Sequence, residues 1–395
     1  MIANIALIVL AVVTFLVVIS FLIFFHELGH YSVGRLFGTK VDRFSIGFGK
    51  PILKRTAKTG TEWTLSRIPL GGYVKFAGDA GAASNPDEAE LEALREKHGD
   101  TSDIFHFKPV WQRALIVLAG PVFNFILAAV LFAIVFMWVG RTVAEPVIGM
   151  VEEGTPAAAA GIQPGDRVLS LNGKAIETWP DMVQEIALSA DTRMSVVVER
   201  DGREITLDVT PERREDRDFV GGRMSKGYFG VGLDADTAIT TRSYGPIAAL
   251  GEGVAEVGNS LSATGRYIGR IFTGREDGKQ LGSILRIGVM TGKSTTDIAA
   301  REDIPAGERV RALVLRLLTL GAGISVALGF ANLLPIPMLD GGHLLFYGYE
   351  AVAGKPMPMQ YQEMGFRIGM ALLLGLFVVL TINDIGYIGS IFSQG

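Results

Sequence analysis

The 395-residue chain contains no cysteine. This excludes a disulfide scaffold, a thiolate zinc site, an iron–sulfur cluster and a cysteine nucleophile. Histidine is almost as scarce, with five in all: His26, His30, His98, His106 and His343. Any imidazole chemistry must draw on that set. Charge is sparse as well, at 20% of residues, and the formal net charge of −4 leaves no basic excess for nucleic acid, so no nucleic-acid partner is expected. With 49% hydrophobic residues a disordered chain is excluded. The charge is low for a soluble protein of this size yet too high for one wholly buried in lipid, so the average describes a mixture.

The missing charges are missing in blocks. Met1 to Phe25 has none, and neither do Ala114–Gly140, Leu317–Leu339 and Ile368–Asn383. About 20 apolar residues cross a bilayer core. The first three runs meet that length and the fourth is shorter but strongly apolar, which predicts four transmembrane helices. The first run does not fit a secretory signal peptide, because the first Lys or Arg is Arg35 and the apolar stretch is too long. Arg35 to Arg113 holds 13 basic and 10 acidic residues, whereas Arg141 to Arg316, more than twice as long, holds 22 and 26. The higher basic density predicts that the first loop is cytoplasmic, with both termini and the second loop outside. Arg301, Arg309, Arg311 and Arg316 pull the other way, although long loops translocate largely regardless of charge.

Within the first loop, Glu62–Ala77 alternates like a strand around Pro69 and Gly71-Gly72, a hairpin signature. Asp79–Asp103 has the composition of a solvated insertion, with a short helix expected over residues 87–97. The second loop opens with TPAAAAGIQPGDRVLSLNG, then a helical segment and two strand patterns, Met194–Glu199 and Glu204–Thr210, joined by Asp201-Gly202. That string resembles the core of a bacterial PDZ domain, placed at residues 143–212. A charged linker is expected over Pro211–Asp218. Ile247, Leu250, Val254, Val257 and Leu261 then mark an amphipathic helix, suited either to a membrane surface or to ordinary packing.

The chemistry concentrates in His26-Glu27-Leu28-Gly29-His30. On a helix, residues four apart share a face, so His26 and His30 can offer two imidazole nitrogens to one metal while Glu27 serves as base. Glu27 is the first charged residue of the chain and Arg35 the next. Eight helical residues cover about 12 Å, which sets the motif below the membrane surface, where an ionisable side chain is a functional candidate. Catalytic zinc takes three protein ligands and keeps one open position. Asp340 and His343 are both candidates for the third, at the end of NLLPIPMLDGGHL, where Pro335 and Pro337 break the helix and Gly341-Gly342 permits close backbone approach.

HELGH in the first span and NLLPIPMLDGG in the third resemble the two signature motifs of the site-2 protease family of intramembrane zinc metalloproteases, most closely its bacterial regulator-of-sigma-E branch. FSIGFGKPILKR and RIPLGGYVKFAGD are similar to that family's membrane-associated β-loop, and WQRALIVLAGPVFNF to the start of its second span. The resemblance implies a polytopic α-helical membrane protein with about four transmembrane helices, a membrane-associated β-hairpin and an inserted α+β PDZ domain. Residues 1–142 would carry the first two spans and the β-loop, 143–212 the PDZ domain, 213–310 a linker with the amphipathic helix, and 311–395 the last two spans. It implies Zn2+ held by His26, His30 and Asp340, with Glu27 as the catalytic base and His343 structural. Asn332 would assist substrate binding, and the strand through Gly72, Tyr73 and Val74 would hold an unwound substrate extended. The partners implied are single-pass membrane proteins, such as an anti-sigma factor, the lipid bilayer, and a peptide or protein C-terminus at the PDZ domain. The place implied is the bacterial inner membrane, with the active site near the cytoplasmic side and the PDZ domain periplasmic. In one place the chain departs from the family: Leu281-Gly282-Ser283-Ile284-Leu285 stands where the family often has L-G-G-P-I. The rival from another class is a non-catalytic scaffold, a PDZ module on a four-helix anchor.

Overall fold

The computed structural model describes residues 2–78, 92, 93, 95, 96, 100–217, 223–233, 240–274, 278, 281–301 and 303–392. Of the helix expected over 87–97, residues 92, 93, 95 and 96 are helical and the rest lie outside the described residues. The chain divides into two compact units. One comprises Met1–Phe132, Gly253–Val257 and Ile287–Thr381, and the other Ala133–Glu252, Gly258–Arg286 and Ile382–Gly395.

In the first unit, helix α1 (Ile2–Leu36) does not stop with the charge-free run at Phe25 but continues for another eleven residues, carrying His26, Glu27 and His30 on one uninterrupted helix. It ends at Gly38, whose φ of 70° lies in the left-handed region. Four helical stretches are long and apolar enough to cross a membrane: Val9–Leu36, Val110–Trp138, Ala306–Asn332 and Met359–Gly389. They fall on the four expected runs, and the last gains length because Ile368–Asn383 sits inside the helix Met359–Phe392.

Between the first two spans, β1 (Val41–Thr56) and β2 (Glu62–Phe76) form an antiparallel hairpin. Its turn is Ala57–Thr61, closed by Ala57 N–H donating to Thr61 O at 2.9 Å. The turn expected at Pro69 and Gly71-Gly72 is therefore corrected. Ile46 pairs with Gly72 and Phe48 with Ile68, so three residues of β2 oppose one of β1. Pro69 and Gly71 (φ 121°) build a bulge inside a continuous strand. Ser45 has Tyr73 on one side and Thr64 on the other, so the hairpin curls into a small sheet. Phe44 stacks on Trp63 with centroids 4.3 Å apart, and both meet Tyr31 of α1, which seats the sheet on the helix bearing the histidines.

Helix α2 (Val110–Trp138) packs on α1 closely enough that a Cβ on Gly29 would overlap the Ala119 carbonyl. Helix α3 (Ala306–Asn332) ends where Pro335 and Pro337 were expected to break it. The chain turns through Leu333–Leu339, with Met338 held at φ 92°, an uncommon conformation for a residue with a side chain. It restarts as α4 (Asp340–Ala353). Added Cβ atoms on Gly341 and Gly342 would meet the backbone of Leu333 and Ile336, so both glycines serve the close approach anticipated for them.

The second unit holds a four-stranded sheet in which Arg167–Leu171 lies between Lys174–Ala175 and Met194–Arg200, with Arg203–Val209 at the edge. Helices Pro156–Ala160 and Trp179–Ala187 belong to the same unit. Thr178 caps the second by accepting from Asp181 N–H. The core runs from Ile148, Val168 and Leu171 to Met194, Val196 and Val198. It also takes in Phe229 and Val231, beyond residue 212, because Val231–Leu233 pairs with Ile148–Val151. The segment expected to be a charged linker is a strand, Glu212–Arg217, paired with Arg223–Tyr228. The amphipathic helix spans Pro246–Phe272, with Arg266 bonding Glu185 at 3.0 Å and Arg270 bonding Ala190 O at 2.6 Å. Ser283, in the departure from the family segment, donates its N–H and hydroxyl to buried Asp384 and so anchors the start of helix Ile284–Ala299.

Candidate active site

The first unit brings His26, His30 and Asp340 together although Asp340 lies more than 300 residues from the two histidines in sequence. The two histidines face the same way because α1 is unbroken between them. Asp340 joins them because the turn after α3 delivers the first residue of α4 to that face. Asp340 Oδ2 lies 3.2 Å from His26 Nε2 and 3.6 Å from His30 Nε2. The two Nε2 atoms are 3.2 Å apart. Asp340 Oδ2 is buried and has no hydrogen-bond partner. A buried carboxylate oxygen facing two imidazole nitrogens in this way fits a cation at their centre. Two nitrogens, one oxygen and an open fourth position are the donor set of catalytic zinc.

His343, the alternative third ligand, is not in this cluster. Its ring packs against Phe346 and Phe366, with centroids 6.4 and 5.9 Å away. Glu27 is only 9% exposed, and the backbone N–H of Val74 lies close to its carboxylate. Gly72 sits still closer: an added Cβ would lie 3.0 Å from Glu27 Cγ and 2.9 Å from Ile23 Cγ2. The curled hairpin thus lays its strand Gly72–Phe76 directly along Glu27. Tyr73 points elsewhere, its hydroxyl accepting from Arg43 at 3.4 Å. Asn332 closes α3 with its amide nitrogen 3.5 Å from His26 Nε2, beside the three converging atoms.

The chain matches peptidase family M50 over residues 14–376, a span that includes all of these residues. The chain belongs to peptidase family M50. Among curated relatives, metalloprotease MmpA of Caulobacter vibrioides is 40% identical, covering 96% of this chain and 98% of its own. A protein of Agrobacterium fabrum named as a zinc metalloprotease is 41% identical over 95% of each chain. Another, from Mesorhizobium japonicum, is 41% identical over 94% of this chain and 98% of its own. The M50 chain is thus a zinc metalloprotease with four helices of membrane-spanning length.

Three features of this peptidase's site escaped sequence reasoning. His30 Nδ1 donates to Ile116 O at 2.9 Å. Gly120 gives the rings room, since an added Cβ would overlap His30 and come within 2.8 Å of His26 Cε1. The Asn124 amide lies 3.1 Å from His26 Nδ1. All three lie on α2. The available signal was Asn124 itself, the one amide in the charge-free run Ala114–Gly140. A fourth group, Arg113, ties the base of α2 to α4 by a 2.6 Å bond to Glu350 and stacks over Tyr347.

Proposed function

We propose that His26 Nε2, His30 Nε2 and Asp340 Oδ2 hold the zinc and that Glu27 is the general base and acid of peptide hydrolysis. The convergence of those three atoms around a carboxylate oxygen with no hydrogen-bond partner carries the reading. Zinc bound there supplies a Lewis acid for the scissile carbonyl and acidifies the attacking water. Glu27 takes that water's proton and returns it to the leaving amine. The strand confines that carboxylate, since a Cβ on Gly72 would lie 3.0 Å from Glu27 Cγ. The Asn332 amide, next to His26 Nε2, is placed to donate to the oxygen that becomes negative in the transition state.

The substrate class follows from where this chemistry sits. Glu27 belongs to the span Val9–Leu36, so the bond cut lies in or near the transmembrane segment of a single-pass membrane protein. An anti-sigma factor undergoing regulated intramembrane proteolysis is the substrate the resemblance favours. A helix hides its carbonyls in its own hydrogen bonds. The substrate therefore unwinds and pairs with the strand Gly72–Phe76. Among the described residues that strand pairs along one edge only, and it passes Glu27. The sheet-and-helix unit beginning near residue 143 is read as a PDZ domain that receives a peptide or protein C-terminus or filters substrates by size. Basic density in the first loop favours a bacterial inner-membrane orientation with the hairpin cytoplasmic and the PDZ unit periplasmic.

The test is Asp340→Ala. The purified variant is expected to lose zinc, and cells carrying it to accumulate an uncleaved tagged single-pass substrate. Full zinc occupancy in the variant would refute Asp340 as third ligand.

A further inference from the structure

The two ligand histidines meet α2 through their far nitrogens. Ile116, Gly120 and Asn124 are four residues apart and share one face of that helix. Gly120, at the centre, lets the helix press against both rings. On one side the Ile116 carbonyl takes His30 Nδ1–H at 2.9 Å. On the other, the Asn124 side chain lies 3.1 Å from His26 Nδ1.

This inference rests on the zinc reading above. A neutral imidazole that gives its Nε2 lone pair to a metal carries its proton on Nδ1, and that proton needs an acceptor. His30 has a backbone carbonyl. Within hydrogen-bond distance of His26 Nδ1 is the Asn124 amide. With Nδ2 toward His26, Oδ1 is buried and lacks any hydrogen-bond partner. The opposite amide orientation fills the same space. It sets Oδ1 against the Nδ1 proton, and the amide nitrogen takes the buried position that Oδ1 leaves. Asn124 is fully buried, and its backbone is fixed by Ser325 Oγ donating to Asn124 O at 2.8 Å. We infer that Asn124 is a positioning residue: its Oδ1 accepts the His26 Nδ1 proton and fixes the tautomer that presents Nε2 to zinc.

The experiment measures zinc affinity of the full-length protein in detergent, by competition with a chromophoric chelator, for wild type, Asn124→Ala and Asn124→Asp. The Tm of each metal-free form is recorded alongside. Asn124→Ala is expected to bind zinc about 10- to 100-fold more weakly. Asn124→Asp, which keeps an acceptor oxygen in the same place, is expected to bind at least as tightly as wild type. Wild-type affinity in Asn124→Ala overturns the inference. So does a loss in Asn124→Asp that equals the loss in Asn124→Ala while both keep the wild-type metal-free Tm. If Asn124→Asp fails to fold, Asn124→Ala decides by the same criterion; if Asn124→Ala fails to fold, a loss of about tenfold or more in Asn124→Asp overturns the inference; and if neither folds the residue is structural and the inference is overturned. Wild type that binds no zinc refutes the parent reading instead, and this inference with it.

Discussion

Gly120→Ala adds one methyl group at the back of the site and is the sharpest perturbation available. In an exposed helix interior this change stabilises by about 1 kcal/mol through helix propensity. Here the new Cβ would stand 2.8 Å from His26 Cε1 and overlap the His30 ring. Carbon atoms in contact sit about 3.5–4.0 Å apart, so the rings or the helix must move by roughly 0.7 Å or more at His26 and by about 1 Å or more at the nearer ring, His30. Overpacking of this kind costs about 1–3 kcal/mol, enough to cancel the propensity gain. The larger effect falls on geometry, because a constellation of this type tolerates about 0.5 Å and a 1 Å error costs about 10²-fold. Cleavage of a tagged single-pass substrate is expected to fall about 10- to 100-fold, with zinc bound more weakly. Gly323→Ala is the control. Nothing lies within 4 Å of its added Cβ, so activity should stay at the wild-type level. If Gly120→Ala cleaves as fast as Gly323→Ala, the helix does not hold the rings and the argument is wrong.

Two further outcomes follow from the same geometry. Gly72→Val should force the strand off Glu27, since even a Cβ there would stand 2.8 Å from Ser45 O and 3.0 Å from Glu27 Cγ. Activity is expected to drop at least tenfold while zinc content holds, and loss of zinc in step with activity would count against a strand that serves substrate and base alone. Asn332→Ala should keep zinc and lose about 10²-fold in kcat, the typical effect of removing a donor to a developing oxyanion. An unchanged kcat with a raised KM would assign the residue to binding instead.

The readable parts of this molecule are the local ones. His26, Glu27 and His30 stand out because their spacing on one helix is a property of about 6 Å of chain, and the four apolar runs stand out because lipid demands them. Asp340 was half legible: the residues left it level with His343, and what separates them is that Asp340 Oδ2 lies beside both other histidines while the His343 ring packs against Phe346 and Phe366. The back of the site was not legible, because Ile116 contributes a carbonyl and Gly120 an absence, neither of which has a side-chain signature. Pro69 and Gly71-Gly72 carry the composition of a turn but form a bulge, since the register against Ile46 and Phe48 is decided by a partner strand some twenty residues away. Glu212–Arg217 is charged at every position, so it has no apolar alternation to announce a strand. It is held instead by its neighbours, with Arg214 over the Tyr228 ring, Lys226 paired with Asp216, and Arg213 bonded to Asp191 at 2.7 Å.

The most direct test of the central claim is Glu27→Gln, assayed for zinc content and for cleavage of a tagged single-pass substrate in the same preparation. Glu27 is not among the three converging ligand atoms, and glutamine keeps its shape. The account predicts wild-type zinc content with cleavage abolished. A variant that keeps its zinc and cleaves as well as wild type would contradict it.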